Sequence, residues 1–153
     1  MTSCRNLLAS LPRHAQTGFS MLEVLISILV LSIGALGAAG MQIAALKDTG
    51  SASTRYRAAS LAGGMADTLR VERTAAITGG SDFASALASG NCATAGATPV
   101  TRWINQIDCE LPGGKGQVVI DTFTKRAIVT VQWDDSRGNA GSATQQFQLE
   151  TRL

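Results

Sequence analysis

The sequence predicts an α+β fold in which one long N-terminal α-helix, membrane-spanning over its first half, packs on a small C-terminal antiparallel β-sheet. Three observations predict it. An uncharged, mostly apolar run of 23 residues extends from Val24 to Leu46. Beyond Leu46 the chain turns amphipathic with helical spacing, and its last third alternates β-branched and aromatic residues with polar ones.

The apolar run comes first. As a helix, 23 residues span roughly 35 Å, enough to cross a hydrocarbon core of about 30 Å. No proline interrupts the chain from Phe19 to Ala76, so one continuous helix is expected over that range. Gly34, Gly37, Gly40, Gly50, Gly63 and Gly64 each lower its intrinsic stability by up to about 1 kcal/mol relative to alanine. Gly34, Gly37 and Gly40 recur every third residue beside Ala35, Ala38 and Ala39. That composition lets helices approach closely, and it is also ordinary for a membrane helix.

From Lys47 onward, Asp48, Arg55, Arg57, Asp67, Arg70, Glu72 and Arg73 supply a wet face. Leu61, Met65 and Leu69, beside Ala58, Ala62 and Ala66, form an apolar stripe that requires a cover. Residues 78–98 are rich in glycine, serine, threonine and alanine and read as a loop, with a short helical turn at 82–88. Thr98-Pro99 supplies an N-cap and a proline at the first helical position, and Pro112-Gly113-Gly114 supplies a stop. A helix over 99–110 follows, with Trp103, Ile104 and Ile107 facing the core. Strands are expected at 117–123, 126–133 and 144–152. They are joined by a turn near Thr124 and by the polar connection 134–139, and they bury Val118, Ile120, Val129, Val131 and Leu149 against the long helix.

The residues before the apolar run carry more information than the run itself. Arg5, Arg13 and His14 precede Gly18 with no acid among them, as in a cytoplasmic basic leader. The run Gly18-Phe19-Ser20-Met21-Leu22-Glu23-Val24-Leu25 resembles the class III signal of type IV prepilins and pseudopilins. The resemblance implies cleavage between Gly18 and Phe19 by a prepilin peptidase and N-methylation of Phe19. The expected organisation is a leader over 1–18, a transmembrane and filament-core helix over 19–46, its amphipathic continuation over 47–76, and a periplasmic globular domain over 77–153. Two other readings compete for the segment. A secretory signal has a shorter apolar region and no acid at its start, and a plain single-pass anchor leaves Gly18 and Glu23 unexplained. A carboxylate at mid-membrane costs on the order of 3 kcal/mol on insertion scales, less near an interface. The resemblance gives Glu23 a partner, the methylated amine of Phe19 on a neighbouring subunit, and thereby a role in assembly and register; Gly34, Gly37 and Gly40 become candidates for helix packing.

Lys47, Arg55 and Arg57 follow the span and weaken the charge asymmetry, so orientation rests on the leader motif, which directs the domain from about Thr49 to the periplasm. Leader removal discards Cys4 and leaves Cys92 and Cys109, 17 residues apart, a spacing that matches no zinc pattern. They read as a disulfide in an oxidising periplasm or as two free buried thiols.

Functions are excluded as much as assigned. The chain has 13 basic and 11 acidic residues; without Arg5 and Arg13 the count is 11 of each, with no basic stripe for nucleic acid. Its single histidine, His14, falls in the leader, so the processed chain has no Ser-His or Cys-His nucleophile. Gly113-Gly114-Lys115-Gly116 lacks the spacing of a phosphate loop, and Asp134-Asp135 reads as a solvated hairpin turn. No catalytic residue, metal or cofactor is expected. Leu29 to Gly37, Met65 to Arg70, and Leu111 to Gly114 leading into Val129 to Asp134 resemble minor pilins of the type IV pilus. This implies a membrane partner set of prepilin peptidase, other minor pilins, the major pilin, an inner-membrane assembly platform and a large tip adhesin, on a path from inner membrane to pilus.

Overall fold

The computed structural model describes residues 18–78 and 82–153. The expected leader residues 1–17, Cys4 among them, and loop residues 79–81 lie outside the described residues. The elements in chain order are α1 (Met21–Val71), α2 (Arg73–Ile77), β1 (Ser85–Ser89), α3 (Pro99–Glu110), β2 (Lys115–Asp121), β3 (Arg126–Trp133) and β4 (Gln145–Arg152). Helix α1 on a four-stranded antiparallel sheet is an α+β layout consistent with the type IV pilin fold. The chain divides into two compact units, one ending at Gly40 and one beginning at Met41.

The first unit is helical from Met21, and its large apolar side chains, from Leu22 to Leu36, are exposed. α1 is long and apolar enough to cross a membrane.

In the second unit the expected stripe is buried: Ala58, Leu61, Ala62, Met65, Ala66 and Leu69 all lie in the interior. The long helix pauses at Glu72, where α1 gives way to the single turn of α2, so it is not one uninterrupted rod to Ala76. α3 begins where its sequence says it should. Thr98 Oγ1 accepts from the Thr101 backbone N–H, and Thr101 Oγ1 accepts from that of Thr98, a reciprocal cap that satisfies two otherwise orphaned donors. Gly113 ends the segment at φ +60°, a left-handed conformation natural to glycine.

The sheet order is β1-β2-β3-β4, all antiparallel. Strand β1 corrects the expectation of a loop with a helical turn at 82–88. Its residues Ser-Ala-Leu-Ala-Ser lack β-branching and alternation, so pairing with β2, not local propensity, holds them extended. The register pairs Ser85 with Val118 and Ser89 with Lys115, with an irregularity between Ser85 and Ala88. Strand β2 begins at Lys115 and ends at Asp121, two residues early at each end, which leaves Phe123 in the turn and 97% exposed.

Val118, Val129, Val131 and Trp133 join α1 and α3 in the core, with Ile120 and Leu149 packed at its margin, only partly buried. Trp103, Ile104 and Ile107 cover the sheet from α3, and Trp103 Nε1 donates to the Leu61 carbonyl at 2.9 Å, tying α3 to α1. Gly116 makes this approach possible, because a Cβ there would stand 2.6 Å from Trp103 Cζ3 and 2.9 Å from Ile107 Cδ1.

Strand β3 runs beside α1 in the opposite sense. At its end, Asp135 bonds Ser51, and at its start Ala127 pairs with Thr151, whose Oγ1 accepts from Arg70 Nη2 at 2.7 Å. The 19 helical steps from Ser51 to Arg70 cover about 28 Å, and the seven strand steps from Arg126 to Trp133 cover about 23 Å.

Candidate assembly site

The candidate site begins just before α1. Gly18, Phe19 and Ser20 are non-helical, and the Ser20 carbonyl accepts from the backbone N–H of Glu23 at 3.0 Å and of Val24 at 3.3 Å. Glu23 therefore stands in the first turn of α1, where the unsatisfied N–H groups of the helix end favour a carboxylate. Its side chain makes no ion pair or hydrogen bond among the described residues, while Ser27 Oγ donates to its backbone carbonyl at 2.7 Å. Phe19, Glu23, Val24, Ser27, Ile28 and Leu31 line an open recess of about 370 Å³. Phe19 and Glu23, chosen from the sequence, are thus brought to one site.

Gly34, Gly37 and Gly40 lie further along the same helix. A Cβ at any of them would meet nothing within 4 Å, so no neighbour within the chain requires glycine there.

Cys92 and Cys109 are joined as a disulfide, with Cα atoms 5.0 Å apart. The bridge is one of several ties between the segment after β1 and helix α3. Asn105 Oδ1 accepts from the Asn91 N–H at 2.9 Å, Asn105 Nδ2 donates to the Thr94 carbonyl at 2.8 Å, and Asp108 Oδ2 accepts from the Cys92 N–H at 3.2 Å. Gly90 and Gly96 lie against the α3 backbone with no room for a Cβ.

Sequence reading missed the connection between β3 and β4, residues 134–144. Asp135 is not a solvated turn residue: it is buried, its Oδ2 accepts from Ser51 Oγ at 2.5 Å, and Arg55 Nη2 stands 3.7 Å away. Asn139 Nδ2 donates to the Ala44 carbonyl at 3.1 Å and to Asp48 Oδ1 at 2.9 Å. These partners are 80 to 95 residues apart in sequence, and no local motif signals them. Asp134 does face solvent; the Ser136 hydroxyl, with the Ser136 backbone N–H and nearby Arg137, holds its carboxyl below the ordinary range. Among the described residues no cluster of His, Cys, Asp and Glu is arranged to hold a metal ion.

Helix, sheet and the Phe19–Glu23 end together define the class to which comparison points. Residues 13–39 match the family model of the prokaryotic N-terminal methylation motif, an interval that includes Gly18, Phe19, Glu23, Gly34 and Gly37. The motif supports a type IV pilin- or pseudopilin-like protein, processed by prepilin peptidase and assembling with other pilins. No curated protein and no solved structure matches the chain significantly.

Proposed function

We propose that this chain is a minor pilin of the type IV pilus, cut between Gly18 and Phe19, methylated on Phe19, and active in priming filament assembly near the tip. The observation that carries the reading is the coincidence of the methylation motif with a lone acid in the first turn of a helix able to span a bilayer. Glu23 pairs with the methylated amine of Phe19 on a neighbouring subunit. Two such charges about 4 Å apart attract by roughly 4 kcal/mol at an effective dielectric of 20, before desolvation is subtracted. The pairing fixes axial register as well as affinity, and Gly34, Gly37 and Gly40 present close-packing surface to adjacent helices. The subunit works by packing and is not an enzyme; its domain faces the periplasm before incorporation, and its partners are other minor pilins, the major pilin, the assembly platform and a tip adhesin.

The scattered similarity of Leu29 to Gly37, Met65 to Arg70 and Val129 to Asp134 favours PilV among minor pilins. A pseudopilin of a type II secretion system shares the motif and the helix. Co-purification with sheared pili favours the pilus, whereas loss of enzyme secretion on deletion favours the secretion system. The decisive first experiment is the intact mass and N-terminal sequence of protein recovered from membranes of cells with active prepilin peptidase. A start at methylated Phe19 is expected; a chain still starting at Met1 overturns the reading. Glu23→Ala is expected to be cut normally yet excluded from filaments, as read by immunoblotting of sheared pili, and normal incorporation would remove the role given to Glu23.

A further inference from the structure

We propose that the β3–β4 connection is a membrane-contact surface that seats on phospholipid headgroups and sets how deeply α1 inserts. The inference rests on the membrane-anchored reading above and adds a second lipid-facing element to it. Its basis is the level at which the connection meets the helix. Asn139 bonds the carbonyl of Ala44 and the carboxylate of Asp48, so a polar loop lies beside a residue of the apolar run itself. Unpaired polar backbone is not tolerated in hydrocarbon; in the stretch 138–141, Gly138 and Gly141 donate to the carbonyls of Asp135 and Gly138, while the backbone N–H groups of Asn139 and Ala140 have no partner among the described residues. Hydrocarbon must therefore end before Ala44. The apolar length left from Val24 to Ile43 is 20 residues, about 30 Å of helix, which equals a typical hydrocarbon thickness.

The chemistry beside the loop fits a headgroup. Lys47 and Arg137 line a recess of about 310 Å³ together with Asp134 and Asp135. Neither cation makes an ion pair among the described residues, whereas Asp135 is engaged by Ser51 and Arg55. Such a lining suits a zwitterionic ethanolamine headgroup, its phosphate toward Lys47 and Arg137 and its ammonium toward Asp134.

The test uses the full chain, in a Cys4→Ser background, reconstituted into phosphatidylethanolamine-rich vesicles. An environment-sensitive fluorophore is placed by Ala140→Cys, an exposed position that makes none of the loop's side-chain bonds, and separately by Phe123→Cys and Ile33→Cys. Ala140 and Phe123 lie in the connections beyond opposite ends of β3, a strand about 23 Å long, several times the thickness of a headgroup layer. A nitroxide on the lipid headgroup is expected to quench the label at Ala140 at least about twofold more strongly than at Phe123. Equal quenching at the two sites overturns the proposal. A nitroxide deep in the acyl chain should quench at Ile33. If it does while Ala140 is no more quenched than Phe123, the anchor stands and the headgroup contact fails; if Ile33 is unquenched, the membrane reading falls and this inference with it.

Discussion

Replacing Ser51 with alanine should cost the C-terminal unit about 2–3 kcal/mol, although the substitution removes a single oxygen from a half-exposed helix position. The oxygen is the hydroxyl whose proton is given to Asp135 Oδ2 at 2.5 Å, on a carboxylate side chain that is only 6% exposed. Hydrogen bonds to charged groups contribute about 1.5–3 kcal/mol, and a buried acceptor left without its donor carries its desolvation penalty. Arg55 does not compensate, because its side chain is 53% exposed and stands 3.7 Å away; an ion pair of that kind contributes 0–1 kcal/mol after solvent screening. Asp135→Ala should cost less, about 1–2 kcal/mol, since Ser51 can turn its hydroxyl to water. The double variant should then cost less than the sum of the two, with a coupling of at least about 1 kcal/mol. Urea denaturation of the full chain in detergent measures this through tryptophan fluorescence. Both tryptophans, Trp103 and Trp133, are buried in the C-terminal unit, so the signal reports that unit and not the apolar half of α1. A Ser51→Ala variant within about 0.5 kcal/mol of the parent, the range of ordinary surface substitutions, would refute the reasoning.

Other expectations follow from the same structure. Gly116→Ala forces a Cβ into Trp103 and Ile107 and should destabilise by about 1–3 kcal/mol, whereas Gly64→Ala meets open space and should stabilise by up to about 1 kcal/mol; thermal melts of the two variants should move in opposite directions. Joint replacement of Cys92 and Cys109 by serine opens a loop closed over a separation of 17 residues and should cost about 3 kcal/mol in the chain-entropy description, read by the same urea titration. Asp121 is held below the ordinary carboxylate value of 3.8 by the Thr124 hydroxyl first, then by the backbone N–H groups of Thr124 and Phe123. Because its folded pKa is the lower one, its contribution to stability is present above pH 3.8 and is lost as pH falls through the folded value. An NMR titration should place the Asp121 midpoint below 3.8 and move it upward in Thr124→Val.

The parts of this fold legible in the sequence are those whose causes are local or periodic. Leu61, Met65 and Leu69 recur at helical spacing and are buried; Thr98-Pro99 carries its own cap chemistry and starts α3; Val129, Val131 and Trp133 alternate and lie inside. The facing positions Thr130 and Gln132 are buried as well, which alternation alone does not predict, since their cover comes from strands on either side. Strand β1 was not legible because Ser85 to Ser89 carry no strand preference of their own and are extended only by the partner β2. Asp135 misled for a related reason: beside a second aspartate, a serine and a glycine it reads as a turn, and only the arrival of Ser51 from 84 residues away turns it into a buried acceptor. At the candidate assembly site, Glu23 and Phe19 were legible because the methylation motif is a short contiguous string, whereas nothing within the chain stands within 4 Å of a Cβ placed at Gly34, Gly37 or Gly40.

The bridge between Cys92 and Cys109 bears on the order in which this protein acquires its structure. It lies within one contiguous stretch, from the end of β1 through α3, so an oxidising compartment can close it using only neighbouring chain. The sheet, by contrast, is complete only when β4 has docked along all eight residues of β3, and α1 must meet partners at Asp135 and Asn139 from more than eighty residues away. Contacts of short separation form first, because the entropy of closing a loop grows with its length. A stapled loop from Cys92 to Cys109, carrying most of α3, can thus close before the long-range contacts form. Cys92 and Cys109 are the two cysteines among the described residues, so a single pairing is open to them, and a third thiol such as Cys4 would introduce the possibility of error.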